Sequence, residues 1–237
     1  MQRVLTGLMF VALVITMVAC ASNPTPAPQP TAAPTKATAP TTVPPTSAPT
    51  AATNASGDTV KLVMVAGKNE ARYRVREQLA NVNLPNDAIG ATKQVSGTIV
   101  GKLDGTIIAA QSKFSVDMRT LKSDRDQRDN FLRRSVLETD KYPFAEFVPL
   151  EAPGLLLKLP ADGKIEFKLV GDLTIRNVTK RVTWEAKGQV VGNEASGTAT
   201  TNFNFAFFQL ERPSVPVVLS IDDKITLELD VFLRREP

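Results

Sequence analysis

The chain has 237 residues, 43% of them apolar, enough for one domain with a packed core, although that content is unevenly spread. Of 28 Lys and Arg, Arg3 and Lys36 precede Asp58, whereas all 24 Asp and Glu lie from Asp58 onward, so that stretch carries only +2 and lacks the concentrated basic patch of a nucleic-acid binder. The absence of histidine removes Ser-His-Asp and Cys-His catalysis, and a single cysteine allows neither an internal disulfide nor a zinc site of the usual thiolate kind.

Residues 1–20, MQRVLTGLMFVALVITMVAC, place an early cation at Arg3, an apolar run from Leu8 to Val18 and small Ala19 before Cys20. The pattern looks like a bacterial lipoprotein signal, the alternatives being an ordinary signal peptide or a short membrane anchor, although the run is shorter than the ~20 residues of a spanning helix. Cys20 is then expected to become the acylated N-terminus of an extracytoplasmic protein, lipid-anchored to the cell membrane, with its thiol carrying lipid and no chemistry. Residues 21–57 consist largely of Pro, Thr, Ala and Ser and bury too little apolar surface to offset the entropy of ordering them. They read as a disordered tether, extended at about 3.1 Å per residue where polyproline-like.

From residue 58 to 237 period-two alternation recurs between turn residues, with strands expected near 59–66, 71–79, 93–103, 106–118, 144–149, 164–175, 180–191, 194–207 and 224–234. In KIEFKLVGDLTI, Ile165, Phe167, Leu169, Leu173 and Ile175 share one face. Phe114, Val116 and Met118 repeat the pattern, as do Phe203, Phe205 and Phe207, and Ile225 through Leu233. In ARYRVREQL, Tyr73, Val75 and Leu79 share a face with Glu77. Asp104-Gly105 and Gly192-Asn193 suit tight hairpins because both positions accept positive φ. Eight or nine such strands make an all-β antiparallel fold, either a closed barrel that can hold a small ligand or a two-sheet sandwich with a filled core.

One segment departs from this pattern. SDRDQRDNFLRRSVLETDKYPFAEF, residues 123–147, predicts a short helix over about 124–135. Ser123 and Asp126 have capping-box spacing, Asp124 and Asp126 suit the positive end of the helix dipole, and Arg133 and Arg134 the negative end. Taken one at a time, Arg125, Arg128 and Asp129 read as solvated charges. The helix either plugs one end of the β structure or forms an entrance lined by Phe131 and Leu132.

The order RDNFLRRSVLETDKYPFAEF, then GDLTIRNVTKRVTW at 171–184, resembles the YceI-like family of secreted bacterial proteins. The matching positions are Arg128-Asp129, Phe131-Leu132, Tyr142-Pro143, Phe147, Gly171, Leu173 to Ile175 and Val178 to Lys180, with Ser112 to Val116 and Leu121 to Ser123 upstream. The resemblance covers about residues 70–235. Many relatives carry a histidine in the first strands, which this chain lacks. The resemblance implies a lipocalin-like barrel of about eight strands with one short inserted helix, whose apolar interior holds a long isoprenoid, a quinone or a polyprenyl lipid. No enzyme activity, metal or cofactor is implied beyond that lipid ligand. The motif residues read as structural, Gly171 permitting either close approach or a bend in its strand and Asn177 sitting in a tight turn between two strands.

The expected lining is Phe114, Val116, Phe131, Leu132, Leu169, Leu173, Ile175, Trp184, Phe203, Phe205 and Leu229. The rival reading is an extracellular module with a filled β core that displays loops to a protein or polysaccharide. Asp222-Asp223 offers a carboxylate pair, but adjacent strand residues point to opposite faces and turn carboxylates are usually solvated, so neither glycosidase chemistry nor calcium binding is expected of it.

Overall fold

Residues that alternate in the sequence form most of the ladder. The computed structural model of the chain describes residues 59–155 and 162–236; the leader with Cys20 and the segment 21–57 lie outside them. The strands are β1 (Thr59–Met64), β2 (Glu70–Leu79), β3 (Asn86–Thr92), β4 (Val95–Lys102), β5 (Lys113–Asp117), β6 (Lys122–Ser123), β7 (Phe144–Glu151), β8 (Asp162–Ile175), β9 (Val178–Val191), β10 (Glu194–Asn204) and β11 (Val218–Glu236). Pairing runs β1-β4-β5-β7-β8-β9-β10-β11, and β11 returns to β1 from Lys61↔Glu236 to Met64↔Leu233. All these pairs are antiparallel, and the ring closes with eight strands. A closed ring has no free edge, so the barrel holds and the sandwich does not.

β2, β3 and β6 continue the sheet from β11. β1 and β2 run along the same partner with a kink between them, where Gly67 has φ 75°. Asn69, 1% exposed, fastens that kink: its Nδ2 donates to the Val65 carbonyl at 2.7 Å, and its Oδ1 accepts from the Phe232 N–H at 2.7 Å. Such a buried amide satisfies the backbone groups that the kink takes out of the ladder. The core cluster runs from Val60 to Ile225 and includes Phe147, Leu173, Trp184 and Phe208. The core cluster of the described residues thus lies wholly from Val60 onward, the core expected of a domain.

The hairpin dipeptides behave as read. Two-residue loops join β8 to β9 through Arg176-Asn177 and β9 to β10 through Gly192-Asn193, with φ 57° at Gly192. In the first loop the positive φ, also 57°, falls on Arg176, and Asn177 takes the second turn position. Gly171 is required by close approach, since a Cβ there would lie 2.3 Å from the Val148 carbonyl oxygen and 2.5 Å from the Phe147 ring.

Three expectations are corrected. The strand over 106–118 is broken at Ala109–Gln111, which forms a 3-10 turn. Buried Ser112 explains this: its hydroxyl accepts from the Val100 N–H at 2.9 Å and donates to the Ile108 carbonyl at 2.9 Å, supplying bonds that a ladder would otherwise make. β10 ends at Asn204, whose side chain accepts from the Phe207 N–H at 2.9 Å and starts a 3-10 turn over Phe205–Phe208. Phe207 thus leaves the face of Phe203 and Phe205 and is exposed, while Phe208 is fully buried, 4.7 Å from the Phe203 ring.

The third correction concerns the helix. α1 (Asp126–Phe131) passes into a π-helical turn over Leu132–Val136, close to the expected span, but its N-cap is Arg125 with no side-chain cap bond. Ser123 cannot cap it because it sits in β6 opposite Gly90, and its hydroxyl donates to Asp129 Oδ1 at 2.6 Å. Asp129 is 3% exposed and the Arg128 side chain 13%, so neither is a solvated charge; Arg125 is, at 52%.

Candidate binding cavity

The inward face of β11 runs through Ile225, Leu227 and Leu229, opposite Val75, Tyr73 and Ala71 of β2. Two cavities lie along it. The smaller, about 160 Å³, is inside the barrel among Leu62, Ile99, Phe114, Phe147, Trp184 and Leu229. Its wall is an aromatic stack, Phe114 on Phe147 at 6.4 Å and Phe147 edge-on to Trp184 at 5.9 Å. The larger, about 520 Å³, lies between β2, α1, the β2–β3 loop and the segment before β11, within the roughly 300–1,000 Å³ of small-molecule sites. Leu227 lines both.

Every residue expected to line a cavity lines one of these two. Phe114, Val116, Leu169, Leu173, Trp184 and Leu229 surround the inner space. Phe131, Leu132, Ile175, Phe203 and Phe205 surround the larger one. The helix thus forms part of a cavity wall, the entrance alternative of the two left open by sequence. Sequence reasoning missed the loop residues Val82, Leu210, Pro213, Val215 and Val217, which also line the larger space. No periodicity marks loop residues; the closeness of Val215, Val217 and Val218 to a Pro-rich turn was the only signal available.

One wall of the larger cavity is polar. Tyr73, Glu77, Arg125, Gln127 and Arg128 line it. Glu77, only 6% exposed, accepts from Arg128 Nη2, and Arg128 Nη1 donates to Asp124 and to Ser123 Oγ, the latter at 3.2 Å. Behind them Asp129 accepts from the Ser123 N–H at 2.9 Å. The motif pair Arg128-Asp129 thereby ties α1 to β2 and β6, the structural role read for it. Tyr73 packs its ring on Gly90, where a Cβ would come within 2.3 Å of it. Burial pushes the Tyr73 phenol up to about 12, with the Arg128 charge acting in the opposite sense, so it stays protonated at neutral pH. Its hydroxyl and the Trp184 Nε1 are buried without a hydrogen-bond partner among the described residues. Each such donor costs about 1–3 kcal/mol, which a ligand acceptor reaching it would recover.

The YceI-like domain model matches residues 69–233. The chain belongs to the YceI-like family. A UPF0312 protein of Pseudomonas putida strain GB-1 is 32% identical over 129 residues, covering 51% of this chain and 60% of that protein; the chain thus spans about three-fifths of the length of the curated relatives it matches. Among solved structures, a polyisoprenoid binding domain from Saccharophagus degradans superimposes on the YceI-like barrel with TM-score 0.60 at 12% identity, covering 74% of this chain and 98% of that one. Burkholderia cenocepacia BcnA gives TM-score 0.52 at 16% identity, with 71% and 98% covered. At these identities the two share a fold with the YceI-like barrel.

Proposed function

We propose that this YceI-like barrel binds a long-chain isoprenoid lipid, tail inward, and carries out no chemical step. The observation that carries the reading is the pair of apolar cavities that share Leu227 in their walls, one among the inward side chains of the barrel and one beside α1. Each methylene buried there contributes about 0.8 kcal/mol, so a few isoprene units accumulate affinity without specific polar contacts. The barrel from Saccharophagus degradans, described as a polyisoprenoid binding domain, supports the same ligand class. A filled core, which an interaction module requires, fits these spaces less well.

The head group belongs at the polar wall. Of its charged lining, Arg128 is paired with Glu77 and with Asp124, and Arg125 lies against Asp124, so both guanidiniums are already balanced by carboxylates. This balance disfavours a diphosphate and favours a neutral, carbonyl-bearing head such as a quinone's. In the cell, an acylated Cys20 and the Pro/Thr-rich segment would hold the barrel outside the cytoplasm on the membrane. Trp184 is the only tryptophan and lines the inner cavity, so its emission reports occupancy directly. Titration of lipid-free barrel with an isoprenoid quinone is expected to quench it saturably near one equivalent; a linear, unsaturable response would refute the proposal.

A further inference from the structure

We infer that the mouth of the larger cavity is a membrane-docking surface, inserted into the apolar layer of a bilayer when lipid enters or leaves. The inference rests on the lipid-binding reading above and extends it to the route of exchange. Among the exposed large apolar side chains of the described residues, Leu84 is 74%, Val217 56% and Leu219 66% exposed. All three sit where the β2–β3 loop and the start of β11 meet. The Ala80 N–H donates to the Val217 carbonyl at 3.0 Å, and Leu79 pairs with Val218. Asn81 and Val82 from one loop, and Pro213, Val215 and Val217 from the other, line the cavity directly below. The exposed apolar rim is therefore continuous with the apolar interior.

The chemistry of the rim selects the occupant. Arg212 is paired with Asp223 at 3.5 Å and Arg125 with Asp124 at 3.7 Å, and the segments that carry the rim also hold Glu211 and Asp222 beside Lys224, so no excess of positive charge marks it for an anionic lipid. A lipid leaving an apolar cavity through an apolar rim passes without water contact only if that rim meets hydrocarbon. The chain outside the structure allows this. Residues 23–53 before β1 reach roughly 100 Å if extended, so a barrel tethered through them still returns to its own membrane.

The test uses residues 58–237, which hold the core cluster of the described residues, wild type and Leu84→Asp/Leu219→Asp. Neither leucine lines a cavity. Flotation with phosphatidylcholine vesicles and the rate of quinone transfer from them, read by Trp184 quenching, are expected to fall at least tenfold in the double variant. Quinone presented in detergent should quench both proteins equally, and wild-type flotation should not change with added phosphatidylglycerol or salt. Unchanged flotation and transfer in the double variant would overturn the docking surface. So would a wild-type dimer, seen by sedimentation, that the double variant breaks, since the rim would then join two copies. If wild-type protein fails to bind quinone even from detergent, the ligand reading fails while flotation still reports on the rim.

Discussion

Arg128 and Glu77 face each other across the wall of the larger cavity, and each is taken largely out of water by the other's element. Removing one partner leaves the other as an uncompensated buried charge, so Arg128→Leu is expected to destabilise the barrel by about 3 kcal/mol. Glu77→Leu in the same background should restore most of that loss, as read by denaturant midpoints in a double-mutant cycle. Tyr73 makes a pH prediction. Its phenol has a folded-state pKa raised to about 12 by burial, above the ordinary value of 10.0, so the folded form holds a proton that the unfolded chain releases first. Its contribution is complete below about pH 10 and is lost as pH rises through about 12. Tyr73→Phe should flatten that alkaline decline and, because it removes an unpartnered hydroxyl, be neutral or slightly stabilising at pH 7. Leu227 lines both spaces and, on the proposed lipid-binding reading, stands where a tail would pass from one to the other. Leu227→Trp is expected to shorten the longest isoprenoid retained, measured by competition among chain lengths; unchanged length preference would count against a continuous path.

At the scale of elements, what could be read depended on whether local pattern or distant contact decided the outcome. β8, β9 and β11 from Lys224 on were legible because alternation over long runs leaves one interpretation, and the Gly192-Asn193 turn carries its own chemistry; the start of β11 at Val218–Asp223 does not alternate, pairs with β2 through two register shifts and was missed. β3 was missed: NDAIGAT is short, rich in small residues and begins with turn formers, and it is a strand because β2 pairs with it from Glu77↔Asn86 to Ala71↔Thr92. The same limit explains Asp129. A carboxylate in a charged helix reads as solvated, and its burial follows only from Ser123 arriving in β6. Phe207 and Phe208 exchanged places because a side-chain cap at Asn204 outcompeted the strand period. Gly171, whose role was anticipated, gives a test at this scale. Gly171→Ala forces a Cβ against the Val148 carbonyl and the Phe147 ring and should cost about 1–3 kcal/mol, with the larger value if β7 must shift.

For the whole molecule, closure converts an alternating sequence into a container. Eight strands in a ring put the apolar face inside, and eleven aromatic and aliphatic positions chosen from alternation and family resemblance all border the two spaces. What the alternation did not reveal is that the container has two parts and a polar wall, since both depend on where the chain kinks between β1 and β2 and where α1 lands. Placing a carboxylate in each part, as in Leu169→Asp with Phe203→Asp, should abolish lipid retention in protein that still folds by circular dichroism; full retention would contradict the lining. The central claim, an apolar cavity occupied by an isoprenoid, is tested most directly by extracting purified residues 58–237 with organic solvent and identifying what is released by mass spectrometry. A quinone or polyprenyl lipid near one per protein is the expected result. An empty extract, from protein that also fails to take up added isoprenoids, would contradict the account.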